Sequence, residues 1–240
     1  MRAVIAASLL LGLAVSALAQ TVVVRGVVVD SAGRPAEGIA VSPFWEVAEG
    51  RARPVGPSAR SGVDGTFQVA VSPSWASEAW TALDTEGSRG AVVPFDPEAK
   101  GPRVFRLSPL VQVEGTITHH EVGDEPMATS LWVYTLPQMQ RVLECSPPPN
   151  GEVRLQLPAG EYEVIARGNR EVASERRSMT LSIGEVFRLG ELDLKATLLR
   201  RMIGQEPPPL QVTDARGVEK SVQLKDFRGK WVVLEFWGFW

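Results

Sequence analysis

From Thr21 onward, apolar and polar residues alternate in short runs separated by Gly, Pro, Asp and Asn. Residues 21–30 (TVVVRGVVVD) are rich in β-branched side chains, which suit a pleated strand, and end in the turn-forming series Asp30-Ser31-Ala32-Gly33-Arg34-Pro35. Ile39-Ala40-Val41 predicts a second strand. Asp64-Gly65 predicts a tight turn into the alternating run Thr66-Phe67-Gln68-Val69-Ala70-Val71. Trp80-Thr81-Ala82-Leu83, Ala91-Val92-Val93 and Val104-Phe105-Arg106-Leu107 predict further strands. Short strands at this spacing, joined by Gly and Pro turns, indicate an antiparallel β-sandwich.

The pattern then recurs. Val24-Arg25-Gly26-Val27-Val28 is echoed by Val113-Glu114-Gly115-Thr116-Ile117, with the glycines 89 residues apart (115−26). Asp64-Gly65-Thr66-Phe67 is echoed by Asn150-Gly151-Glu152-Val153, 86 residues on (151−65). Val104-Phe105-Arg106-Leu107 is repeated letter for letter as Val186-Phe187-Arg188-Leu189, 82 residues on (186−104). Strands kept while loops vary in length would give such a drift, so two copies of one module are expected, arranged as tandem beads. In the second copy, residues 158–166 read as a turn and a strand with Tyr162, Val164 and Ala166 on one face. Ile165 on the other face implies that this side is partly covered.

The texture changes near Leu198. A Pro-rich stretch, Gly204-Gln205-Glu206-Pro207-Pro208-Pro209, is followed by short strand patterns at Leu210-Gln211-Val212 and Ser221-Val222-Gln223-Leu224. The run Trp231-Val232-Val233-Leu234-Glu235-Phe236-Trp237 is mostly apolar on both faces, as a strand of a parallel sheet buried between helices must be. The expected organisation is a signal peptide over residues 1–19, β-sandwiches over 20–110 and 111–197, and an α/β segment over 198–240. The 43 residues of that last segment lie near the lower limit for unaided folding, and its central strand would lack parallel neighbours. It is expected to be disordered, loosely docked on the second sandwich, or an isolated hairpin and strand.

The first twenty residues lead to the expectation of a location outside the cytoplasm. Arg2, the apolar residues 3–15 and Ala17-Leu18-Ala19 before Gln20 form a leader with an A-x-A cleavage site, too short to span a bilayer comfortably; a signal anchor is the competing reading. No later stretch reads as transmembrane, so a periplasmic or extracellular location is expected. Removing the leader takes away Arg2 and leaves 24 basic against 28 acidic side chains, a net charge of −4. There is no basic stripe; Arg176-Arg177 and Arg200-Arg201 read as solvated surface, and nucleic-acid binding is excluded. The single cysteine, Cys145, leaves no internal disulfide framework and reads as a partly buried apolar residue, with an intermolecular disulfide or a redox-active thiol as the alternative.

Other chemistry-bearing residues have plainer roles. His119 and His120, with Glu121 and Asp124, could suggest a metal, but adjacent residues of a strand point to opposite faces. Asp30 and Asp64 could suggest calcium, but Asp-Gly turns recur for backbone reasons. Trp45, Trp75 and Trp80 could stack on sugar rings, although core packing accounts for them. No Ser-His-Asp set or phosphate loop stands out, and no cofactor or metal is expected.

Two resemblances follow from these residues. The first module resembles the carboxypeptidase regulatory-like domains, small secreted β-sandwiches, through residues 24–30, Gly33-Arg34-Pro35, Ile39-Ala40-Val41 and Asp64-Gly65-Thr66-Phe67. The second matches the same plan more loosely, through Gly115 and residues 157–162, and lacks a clean Asp-x-x-Gly-x-Pro turn. Residues 203–240 look like the start of the redoxin branch of the thioredoxin superfamily, the TlpA-type thiol–disulfide oxidoreductases. The matching residues are Ile203-Gly204, Pro207-Pro208, Asp214 with Gly217, Ser221-Val222-Gln223-Leu224, Asp226-Phe227-Arg228-Gly229-Lys230 and Phe236-Trp237-Gly238-Phe239-Trp240. In that family a Cys-x-x-Cys follows directly. The resemblance implies that Phe236, Trp237 and Trp240 flank the reactive site. A peroxide-reducing redoxin shares the same entry but has a different approach to its cysteine, with Thr and Pro ahead of it; Phe236-Trp237-Gly238-Phe239-Trp240 favours the Cys-x-x-Cys branch. The parent is thus expected to be an exported thiol–disulfide oxidoreductase acting on a redox partner protein, with the sandwiches as spacer or docking arms. The 240 residues, lacking the nucleophile, are expected to be inactive. The alternative is an envelope or extracellular module that binds a polysaccharide or an envelope protein.

Overall fold

The computed structural model describes residues 21–48, 51–84, 87–123, 130–206, 208–233 and 235. The predicted leader lies outside them. The protein is mainly β, built from several sheets.

In the first half, β1 (Val22–Val29), β2 (Ala40–Ser42), β3 (Phe44–Ala48), β4 (Arg51–Val55), β5 (Ala59–Arg60) and β6 (Thr66–Val71) precede a short helix α1 (Pro73–Ala76). β7 (Trp80–Leu83), β8 (Arg89–Val93), β9 (Arg103–Arg106) and β10 (Ser108–Pro109) follow. One sheet has the order β6-β1-β9 and the facing one β10-β8-β7-β2-β5. Between them lies a core of Val24, Val28, Val41, Phe67, Trp80, Phe105 and Leu107. Each large side chain so buried stabilises the fold by about 1.5–3 kcal/mol before the ordering entropy is counted.

In the second half, β11 (Val111–Thr118), β12 (Ser130–Thr135), β13 (Arg141–Cys145), β14 (Glu152–Leu157), β15 (Gly160–Arg167), β16 (Glu175–Leu181) and β17 (Val186–Asp193) form a three-stranded sheet, β14-β11-β17, and a six-stranded one. Tyr162, Val164 and Ala166 are buried on the inner face of β15, as the alternation predicts. Ile165, on the outer face, is also buried, opposite Trp132 of β12.

The two copies superimpose at the level of hydrogen bonds. β1 pairs antiparallel with β6 and parallel with β9; β11 pairs antiparallel with β14 and parallel with β17. The Val28 amide donates to the Gly65 carbonyl at 2.8 Å, and the Ile117 amide to the Gly151 carbonyl at the same distance. Both turns are closed by the side chain of the preceding residue: Asp64 Oδ1 accepts from the Thr66 amide and Asn150 Oδ1 from that of Glu152.

The letter-for-letter repeat is not a structural one. Gly26 lies opposite Arg103, and Gly115 lies opposite Gly190 rather than Glu185, the residue that the copied letters would put there. Leu107 donates its amide to Val29 and Leu194 donates its amide to Thr118, which makes Leu194 the counterpart of Leu107. The offset there is 87 residues (194−107), in line with the other two. Of the five residues between the offsets 82 and 87, a bulge between Glu114 and Gly115 takes up one, Leu189; the other four arise because Val186 pairs with Gln112, four positions before Thr116, the counterpart of Val27.

Independent beads are not what forms. β3 and β4 leave the first sandwich and complete the six-stranded sheet of the second, whose order is β16-β15-β12-β13-β3-β4. β13 pairs parallel with β3, Leu143 opposite Trp45 and Cys145 opposite Val47. Trp45, 1% exposed, and Val47 belong to the core of the second half. Pro54 is tolerated in β4 because β4 is the edge strand.

After β17 a short helix α2 (Leu198–Met202) is capped by Thr197, whose hydroxyl accepts from the Arg200 amide at 3.1 Å. Beyond it the predicted strands at Leu210-Gln211-Val212, Ser221-Val222-Gln223-Leu224 and residues 231–233 do not form. In their place is a single 3-10 turn, Leu224–Phe227. A parallel strand needs hydrogen-bonded neighbours, and residues 231–233 have none among the described residues.

Candidate functional site

The C-terminal segment is held by local polar contacts. The Gln223 side chain accepts from the Leu210 amide at 2.8 Å and donates to the Leu210 carbonyl at 3.4 Å. Leu210 and Gln223 thus meet as the predicted hairpin would have it, through a side-chain amide rather than a backbone ladder. Asp226 closes the 3-10 turn by accepting from the Gln223 amide at 2.8 Å, and Arg228 pairs with Glu206 at 2.6 Å. A shallow cavity of about 540 Å³ lies between the Pro208-Pro209 stretch and the turn. Trp231 is fully exposed. Phe236, Trp237 and Trp240, the residues expected to flank a reactive disulfide, lie outside the described residues.

Cys145 cannot serve as a redox centre in the folded state. It is buried in the inner face of the six-stranded sheet between Leu131 and Val47, and burial pushes its thiol up to about 11. At neutral pH it stays protonated and non-nucleophilic.

The other candidates are absorbed by the scaffold. His119 donates Nδ1–H to the Gly123 carbonyl, and His120 Nε2 pairs with Glu191 at 2.8 Å. Glu121 accepts from the Ala196 amide, and Asp124 lies outside the described residues. No group of side chains able to hold a metal ion occurs among the described residues. Asp30 accepts from the Arg34 and Ala32 amides and from the Arg34 guanidinium, which hold its carboxyl below the usual range. Asp64 is lowered in the same way by the Thr66 amide and hydroxyl. Trp80 is wholly buried and donates its indole N–H to the Trp75 carbonyl, so of the three tryptophans only Trp75 reaches the surface.

Trp75 belongs to a cluster that was not legible as a site. Its ring stacks on Phe44 at 6.4 Å. The Arg141 guanidinium sits 3.9 Å from the Phe44 ring centre and 4.9 Å from that of Trp132, and Arg167 covers Trp132 at 4.2 Å. Aromatic and cationic groups from both halves therefore form one column across the junction, each such contact stabilising by about 0.5–2 kcal/mol. Beside it is an open cleft of about 490 Å³, with Tyr134 and Met139 on one wall and Trp75 and Glu78 on the other. Burial raises the Tyr134 hydroxyl above its ordinary value. The sequence signal is the alternation Leu131, Val133, Thr135 inward against Trp132, Tyr134 outward.

No family model matches the chain. Over 38 residues it is 55% identical to the thiol-disulfide oxidoreductase ResA of Bacillus thuringiensis subsp. konkukian, 16% of this chain and 21% of that protein. Part of this chain is similar to a thiol-disulfide oxidoreductase. The ResA protein of Bacillus anthracis is 49% identical over 41 residues, 17% of this chain and 22% of its own length. The chain spans about a fifth of the curated relatives it matches. Among solved structures, the Bacillus anthracis TIE protein aligns with 73% of this chain and 34% of its own at a TM-score of 0.33 and 12% identity. A streptococcal ancillary pilin aligns with 74% and 63% at 0.32 and 13%. No helix of the described residues is long and apolar enough to cross a membrane.

Proposed function

We propose that the protein is an exported thiol–disulfide oxidoreductase of the TlpA type, with a leader over residues 1–19, β-sandwiches over 20–110 and 111–197, and the start of a redoxin-like domain over 198–240. The observation that carries this reading is the 55% identity over 38 residues to a thiol-disulfide oxidoreductase, together with the ordered series from Ile203-Gly204 to Phe236-Trp237-Gly238-Phe239-Trp240. A redox cysteine is best presented by a rigid apolar strand leading to a helix N-terminus, which stabilises the thiolate. Residues 231–237 have that composition, and Phe236, Trp237 and Trp240 would shield the disulfide. The turn chemistry of the first sandwich supports a carboxypeptidase regulatory-like module acting as an arm.

The test has two parts. Transcript sequencing past codon 240 should give a Cys-x-x-Cys immediately downstream, and the product carrying it should reduce insulin disulfides while the 240-residue chain does not. A stop codon at that point, or insulin reduction by the 240-residue chain, would refute the reading. The second reading, an envelope-binding module without enzymatic activity, is favoured by the aromatic cleft between the two halves.

A further inference from the structure

We infer that the second sandwich ends in a rigid junction rather than a flexible tether, and that Thr197 sets the direction in which the redoxin-like segment leaves it. Naming that segment redoxin-like rests on the reading proposed above; the junction itself rests on hydrogen bonds. Residues 195–197 run between two loops of the second sandwich. On one side they pair antiparallel with residues 171–173, Val172 lying opposite Ala196. The Ala173 amide donates to the Lys195 carbonyl at 2.8 Å and the Thr197 amide to the Glu171 carbonyl at 2.7 Å. On the other side the Glu121 carboxylate takes the place of a strand and accepts from the Ala196 amide at 3.0 Å. Val172, Leu194 and Ala196 are buried, so the segment cannot swing without losing these bonds and exposing apolar surface.

Thr197 joins this clamp to α2, and all its polar groups are engaged. Its amide is bonded to Glu171. Its hydroxyl donates to the Arg170 carbonyl at 2.7 Å and accepts from the Arg200 amide at 3.1 Å. Its carbonyl accepts from the Arg201 amide at 3.0 Å. One residue is thus bound to the sandwich and to the helix at once. Leu198 and Leu199 are 69% and 64% exposed and α2 buries no residue, so packing does not seat the helix and its direction rests on this cap. The Gln205 amide then closes on the Met202 carbonyl at 3.0 Å, and the Pro-rich stretch that follows is stiff.

The first copy has the same exit, and there its effect is visible. Pro109 lies opposite Arg89, and the Leu110 amide donates to the Ser88 carbonyl at 3.1 Å. The Asp84 amide donates to the Arg89 carbonyl at 3.0 Å, as the Asn169 amide donates to the Val172 carbonyl at 2.9 Å. Arg89 and Val172 are therefore counterparts, and so are Pro109 and Ala196. An Asx side chain holds each loop: Asp84 accepts from the Ser88 amide, and Asn169 from the amides of Glu171 and Val172. The first exit delivers the chain directly into β11 and a neighbour joined to the first sandwich. The second, built alike, presents the redoxin-like segment in one pose. Such an arm fixes where a redox partner approaches instead of extending its reach.

The test needs no thiol chemistry. The full chain is labelled with heavy nitrogen and its backbone relaxation measured by nuclear magnetic resonance. The amides of Ala196, Arg200 and Arg201 should have order parameters of about 0.85, like those of β17. Thr197→Val, which keeps the side-chain shape and removes the hydroxyl, should drop Arg200 and Arg201 below about 0.6 while Ala196 and β17 stay ordered. Thr197→Ser, which returns a hydroxyl, should restore α2. Mobile Arg200 and Arg201 amides in the unmodified chain, an ordered α2 in the valine variant, a serine variant no better than the valine one, or loss of order throughout the sandwich would each overturn the inference. A stop codon after residue 240 would refute the enzyme reading and leave the junction standing, whereas a mobile α2 would refute the junction and leave the enzyme reading standing.

Discussion

The Arg141 guanidinium lies over the Phe44 ring, 3.9 Å from its centre, although the two residues belong to different halves of the chain. With the β3–β13 pairing and Trp45 in the second core, this contact joins both halves into one folding unit. Residues 21–197 should therefore unfold in urea as a single transition. Arg141→Ala should lower stability by about 1–3 kcal/mol, and Arg141→Lys should restore only part of it, since an ammonium lacks the planar fork that stacks on two rings. Two resolved transitions in the unmodified protein would contradict this.

Gly65 and Gly151 should be the least replaceable turn residues. Both hold positive φ (75° and 73°), and a Cβ at either would clash with the carbonyl oxygen of Val28 or Ile117. Alanine there should cost more than about 2 kcal/mol each, combining the left-handed penalty with the lost turn hydrogen bond. Gly38→Ala, also at positive φ but with open space around it, should cost only the backbone part, about 1–2 kcal/mol. Thermal denaturation of the three variants ranks them.

Cys145 should resist modification until the protein unfolds. Its thiol is raised from 9.0 to about 11 by burial, so the folded state holds the proton more tightly. The associated stability is complete below pH 9 and is lost as pH rises through about 11. Ellman's reagent at pH 8 should react only after denaturant is added; rapid reaction with the native protein would show the thiol accessible.

Asp84 should give the fold part of its acid sensitivity. Burial alone would raise its carboxyl, but the Ser88 amide and hydroxyl and the Arg89 side chain hold it below 3.8. Its contribution is complete above that ordinary value and disappears as pH falls through the lowered one. Asp84→Asn should cost about 1–3 kcal/mol at pH 7 and flatten the acid limb of the stability profile. An unchanged limb would exclude Asp84 as its source.

The sandwich strands were readable because their signal is local. β1 and β11 carry β-branched residues on one face around Gly26 and Gly115, and the Asx-Gly turns fix where β6 and β14 begin. The copied letters Val-Phe-Arg-Leu misled because identity of type does not fix register: the second copy pairs four positions earlier along β11 than the first does along β1. The fusion of β3 and β4 to the far sheet was not readable, since Phe44 to Val47 looks the same whichever sheet receives it. Phe44, Trp132 and Arg141 gave no motif because their cluster exists only after two distant strands are brought side by side. The apolar run at residues 231–233 reads as a strand, yet pairing is a property of neighbours that the pattern itself does not contain.

The parallel seam between β3 and β13 also constrains how the chain can be made. Trp45 emerges from the ribosome 98 residues before Leu143, its partner (143−45). Throughout that interval β3 offers an unpaired edge and a large indole with no core to enter. An export pathway that threads the chain unfolded and releases it whole would spare the nascent first half this exposure, whereas folding during synthesis would strand it half-built.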